Sequence, residues 1–133
     1  MRIPPDAEMD GWNTSVPGFE AGAAMAGVKK EGRYDVSVIF STVPAACGAV
    51  FTQNKFCASP VLLDREVNKG GYAQAIVANS GCANACTGVK GYEDAKAMQA
   101  HTAEALGIKP EEVFVCSTGV IGAFMPMDRI LKG

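Results

Sequence analysis

Val113-Phe-Val-Cys-Ser-Thr-Gly-Val-Ile-Gly122 reads as a strand that runs into a glycine turn. Val113 to Val115 is a short apolar run of the kind that fills a buried strand. Two hydroxyl residues follow, Ser117 and Thr118, then Gly119 and Gly122. A strand that stops in Ser-Thr-Gly presents backbone N–H groups and a hydroxyl where ladder partners run out. Gly119 permits a sharp turn and leaves room for a ligand beside its amide. Such converging donors suit an oxygen that gains charge during acyl transfer. The same residues also fit an ordinary hydroxyl-glycine turn, and local pattern leaves both readings open.

The surrounding chain has the content of one layered domain. Its 133 residues can bury roughly two thirds of the unfolded surface. Hydrophobic residues make up 48% and charged residues 20%, the balance of an ordinary globular protein. With 15 Gly and 8% aromatics, close sheet packing fits better than a core of large rings. A net charge of −2 and the lack of a Lys/Arg cluster exclude a nucleic-acid footprint. No apolar run approaches the length of a membrane span, and Met1-Arg-Ile-Pro-Pro-Asp lacks the apolar core of a secretory signal. The expectation is a cytoplasmic protein with no membrane and no nucleic-acid partner. Five cysteines without an export signal argue against a disulfide framework, so mostly buried free thiols are expected. Cys82 and Cys86 are spaced too widely for a CxxC pair. With His101 the only histidine, no metal site and no cofactor are expected.

In chain order, residues 1–15 read as an irregular arm and 16–133 as the domain. Phe19 to Val28 fits either a short helix weakened by glycine or a bulged strand. Tyr34 to Phe40 alternates as a strand, and Ser41 to Ala45 breaks it. Cys47 to Thr52 reads as a second strand in a hairpin, and Ser59 to Leu63 as a third with Pro60 at its start. Asp64 to Gly71 is a charged loop or helical turn. Ala73 to Ala78 is a fourth, central strand. Asn79 to Gly88 then offers uncharged polar side chains that suit a substrate, or that bond their own backbone. Tyr92 to Leu106 is a clear helix, with Glu93 and Asp94 in its first turn, Met98 inward and Gly107 as its stop signal. His101 on it reads as a surface or boundary residue. A last helix begins near Pro126. The pattern is α/β (α+β), a layered mixed sheet flanked by helices.

Four stretches in order resemble one family: Pro17-Gly-Phe19 with Ala26-Gly-Val-Lys29, Val50-Phe-Thr-Gln-Asn54 with Ala58-Ser-Pro-Val61, Asn79 to Gly88, and Cys116 to Gly122 with Pro126-Met-Asp128. The chain from about Val16 onward is similar to the ornithine acetyltransferase/glutamate N-acetyltransferase enzymes of arginine biosynthesis. That resemblance implies a self-cleaving precursor whose second chain begins with a threonine nucleophile. The nucleophile takes acetyl from N-acetylornithine, or from acetyl-coenzyme A in bifunctional members, and passes it to glutamate. It further implies a catalytic oxyanion hole at Thr118 and Gly119, and a heterotetramer with the nucleophile-bearing beta chain. Cys82 stands where family members usually carry Asn, which removes an amide from that loop. The family's substrate-binding threonine and lysine, and its cleavage site, fall beyond Gly133. This segment is therefore expected to be inactive alone, and its incomplete sheet to expose apolar edges that favour association. The alternative is a non-catalytic binding or interaction module of the same fold.

Overall fold

The computed structural model describes residues 16–29 and 32–133. The expected arm at 1–15 lies outside them. Four strands form one sheet among the described residues: β1 (Phe19–Ala24), β2 (Val36–Ala46), β3 (Tyr72–Cys82) and β4 (Val113–Val120). They lie in sequence order, antiparallel from β1 to β3 and parallel between β3 and β4. Helix α1 (Ser59–Asn68) precedes β3, and α2 (Gly88–Leu106) is the crossover that parallel pairing requires. A single 3₁₀ turn (Pro110–Glu112) enters β4, and α3 (Met127–Lys132) closes the chain.

Alternation along the strands divides the sheet into a covered and an open face. Ala75, Val77, Val113 and Val115 point into a core shared with Leu63 of α1 and Ala95 and Met98 of α2. The intervening positions face away. Ile39 and its register partner Ile76 are 47% and 41% exposed, and Tyr72 is 60% exposed. Half of the sheet is thus packed and half is bare.

Several expectations need correction. Ser59 to Leu63 is the first half of α1, not a strand. Pro60 sits in the first helical turn, where its missing N–H costs nothing, and Pro60, Leu63, Asp64 and Val67 are all buried at helical spacing. The apolar run was too short to betray its period, because the pattern continues through charged residues. Cys47 to Thr52 is irregular. Its amides are taken from outside any ladder, Cys47 by the Gly71 carbonyl at 2.9 Å and Ala49 by the Asn68 side chain at 3.0 Å. The break at Ser41 to Ala45 is a register shift within β2, which resumes pairing with β3 at Ala45. Across that gap the Gln74 amide donates to the Ser41 carbonyl at 3.0 Å. Phe19–Ala24 resolves as a strand. Helix α2 begins at Gly88, so Glu93 and Asp94 lie beyond its first turn. Asp94 is instead buried and accepts from Lys90 at 2.7 Å. Met98 is buried and His101 exposed, as read, and Gly107 ends the helix in the left-handed conformation. Only Cys82 among the thiols is fully buried, while Cys86 and Cys116 are exposed.

The outer edge of β4 is not bare either. Asp64 of α1 accepts the Val115 amide at 2.9 Å, so the helix side chain occupies a site that another strand would need. Burial lifts the Asp64 carboxyl to about 6 despite that hydrogen bond. The apolar surface lies on the face of the sheet rather than along this edge.

Candidate functional site

The Ser-Thr-Gly stretch does not end the ladder. Strand β4 runs through it to Val120, paired with the end of β3: Ser117 with Asn79, Thr118 with Ser80, Gly119 with Gly81. Cys82 then pairs with both Thr118 and Val120, so β3 closes around Gly119 from either side. This irregular crossing depends on glycine. Gly119 has φ +134, and a Cβ there would fall within the backbone of β3, 2.6 Å from the Cys82 nitrogen. Gly81 has φ +113, and its Cβ would lie 2.9 Å from Val28 Cγ1. Gly119 thus lets β4 approach β3, while Gly81 lets β3 approach the segment after β1.

Thr118 is exposed on the open face, and its hydroxyl bonds to no described residue. Beside it lies an apolar concavity of about 400 Å³, walled by Ala23, Ile39 and Ala78, with Ser37 and Ser80 as its polar side chains near Thr118. Ser80 belongs to the polar stretch Asn79 to Gly88 singled out from sequence, but only the pairing of β3 with β4 brings it next to Thr118. Cys116 lies two residues upstream of Thr118 on β4. Although the residue is exposed, partial desolvation of its thiol raises it above the ordinary value, and the nearby Asp64 carboxyl adds to the shift. That thiol stays protonated near neutrality and is a poor nucleophile.

The polar loop after β3 resolves toward its backbone reading. Asn84 is fully buried at φ +48, donates from Nδ2 to the Gly91 carbonyl at 2.7 Å and accepts from Thr87 at 2.8 Å. Its own carbonyl accepts from the Ser59 amide at 3.1 Å. These groups lock the start of α2 to the start of α1. Asn79 donates to the Cys82 carbonyl at 3.0 Å. Among the described residues, no group of three or more His, Cys, Asp or Glu could hold a metal ion, and no helix is long and apolar enough to cross a membrane.

The parallel strands β3 and β4 thus close around Gly119 beside an unbonded Thr118 hydroxyl and an apolar hollow. The ArgJ family model matches residues 20–133, and the chain belongs to that family. It is 52% identical over 125 residues to the arginine biosynthesis bifunctional protein ArgJ of Caldanaerobacter subterraneus, covering 94% of this chain and 31% of that protein. The Geobacter sulfurreducens ArgJ is 51% identical over 119 residues, 90% of this chain and 30% of that protein. The chain therefore spans about a third of these relatives. The crystal structure of ornithine acetyltransferase from Mycobacterium tuberculosis, complexed with ornithine, superposes with a TM-score of 0.86 at 41% identity, over 90% of this chain and 65% of that one. The Bacillus halodurans ArgJ structure gives 0.84 at 44% identity, over 89% and 62%. The mixed sheet with helices expected from sequence is the fold of these proteins.

Proposed function

We propose that this chain supplies the oxyanion-stabilising part of an acetyltransferase that moves acetyl from N-acetylornithine, or from acetyl-coenzyme A, to glutamate. The nucleophile is a threonine on a separate beta chain, and 16–133 acts as one unit of the alpha chain. The observation that carries this reading is the placement of Thr118 and Gly119. An unengaged Thr118 hydroxyl borders a hollow on the open sheet face, and the Gly119 amide follows it in the chain.

The chemistry follows from those donors. Attack of the threonine oxygen on the acetyl carbonyl pushes the π electron pair onto oxygen. The Thr118 hydroxyl and the Gly119 amide donate to that oxyanion, which collapses to expel the ornithine amine and leave an acetyl-threonine. In that first step the threonine's hydroxyl proton passes to the departing ornithine nitrogen. The glutamate amine then attacks the ester through a second oxyanion held by the same donors. Its collapse breaks the acetyl–threonine C–O bond and returns a proton from the amine to the threonine oxygen. The open face around Ile39 and Ile76 is the surface the beta chain covers, in a heterotetramer of two chain types. A cytoplasmic setting fits such a biosynthetic step.

Acetyl transfer from N-acetylornithine to glutamate, assayed with this chain alone and with the remainder of a related enzyme, tests the proposal. The expected result is no turnover alone and restored turnover in the mixture. Binding without turnover favours a non-catalytic module of the same fold. Turnover by the chain alone overturns the separate nucleophile.

A further inference from the structure

We infer that Asn79 and Cys82 are positioning residues that set the geometry of the Thr118–Gly119 donor pair. The inference rests on the oxyanion reading above and deepens it.

Gly119 is held by what lies across from it. Its close contact is with the backbone of Gly81 and Cys82, and Cys82 pairs with the residues on either side of it. Any movement of the Gly81–Cys82 peptide therefore moves the Gly119 amide. Two hydrogen bonds fix Cys82, the residue on the far side of that peptide, one at its carbonyl and one at its thiol. Asn79, 2% exposed, reaches three residues along its own strand to donate to the Cys82 carbonyl at 3.0 Å. The Cys82 thiol, 4% exposed, donates to the Ala123 carbonyl at 3.3 Å and ties the end of β3 to the segment after β4. The Ala83 amide adds a backbone bond to the Val120 carbonyl at 2.9 Å. The segment is thus clamped before and after Gly119.

Asn79 is also an unusual residue to bury. Its Oδ1 has no partner, and neither does the Oγ of its cross-strand neighbour Ser117. A buried amide with an orphaned oxygen calls for an explanation, and the one side-chain hydrogen bond it makes goes to the Cys82 carbonyl, in the peptide directly after the one that packs on Gly119. A thiol at 82 extends the clamp with a weak donor, and, buried among the core residues, it also contributes by packing.

The test reads the amides directly. In the labelled 133-residue chain, Asn79→Ala should shift the Thr118 and Gly119 amide resonances and speed their exchange about tenfold, with Met98 and Ala103 in α2 unchanged. Cys82→Ala should move the same two amides and Cys82→Ser should restore them. When the chain is completed by the remainder of a related enzyme, Asn79→Ala should lower kcat by about 10²-fold with KM unchanged, as expected for donors displaced from the transition state. Unchanged Thr118 and Gly119 amides in a folded Asn79→Ala chain overturn the clamp. If that variant also loses protection at Met98, Cys82→Ala decides by the same two amides. Full activity of Thr118→Ala would instead sink the oxyanion reading, and the amide result would still stand or fall by itself.

Discussion

Thr118 and Gly119 are neighbours with opposite tolerances. The Thr118 hydroxyl is exposed and unbonded, so Thr118→Ala removes nothing that the fold uses. Its expected signature is a melting temperature within a degree or two of the parent and a loss of about 10²–10³ in kcat in the completed enzyme. Equal melting with equal kcat would remove Thr118 from the reaction. Gly119→Ala combines a left-handed backbone with a collision against β3, and should fail in folding before catalysis can be asked. Asp64 carries a pH dependence of its own. Burial raises its folded value to about 6 from 3.8, so the stabilisation it gives is complete below about pH 4 and is lost as pH rises through 6. The loss is on the order of 2–3 kcal/mol. Asp64→Asn keeps an acceptor for the Val115 amide but cannot ionise, and should flatten this part of the stability–pH curve. Chemical denaturation at pH 4, 5, 6 and 7 checks it, and parallel slopes for parent and variant would refute the assignment.

At the scale of elements, legibility followed how local the determining force is. Helix α2 was readable because its period and its stop at Gly107 are written in adjacent residues. Its start was not, because Gly88 to Gly91 enter the helix under the hold of Asn84 and Thr87, and those bonds exist only after the loop folds. Helix α1 was hidden for a related reason: Asp64 completes its inward stripe, and the charge made the stripe look like a loop. The end of β4 was found but read as a terminus, since nothing in Ser117 to Val120 announces that Gly81 will lie opposite Gly119. The roles proposed for Thr118 and Gly119 rest on resemblance, while the residues that lie against them emerge only from the pairing of β3 with β4. Gly91 gives this scale its prediction. A Cβ there would strike the Thr87 and Asn84 side chains and come within 2.8 Å of Ser59 Oγ. Although Ala favours helix by about 1 kcal/mol over Gly, Gly91→Ala should destabilise the chain by roughly 2 kcal/mol or more, through the broken junction of α1 and α2. A rise in thermal stability would mean the junction yields without cost.

The whole molecule is a sheet with one face finished. Leu63, Met98 and their neighbours cover one side, while Ile39 and Ile76 meet in register on the other and are partly exposed, at 47% and 41%. Asp64 takes the Val115 amide at the outer edge of β4, which disfavours addition of a strand there, and the apolar residues Ile39 and Ile76 make the open face a surface for association. Ile76→Glu separates folding from docking. At 41% exposure the new carboxylate reaches water in the isolated chain, and stability should change by less than about 1 kcal/mol. Beneath a second chain the same carboxylate would be desolvated without a partner, at a cost of several kcal/mol. The variant should therefore melt like the parent, self-associate less by light scattering, and bind the complementing remainder at least about tenfold more weakly. Binding equal to the parent's would place the partner elsewhere and leave the open face to another use. A large drop in melting temperature would show that Ile76 is already covered in the isolated chain, by self-association through this face.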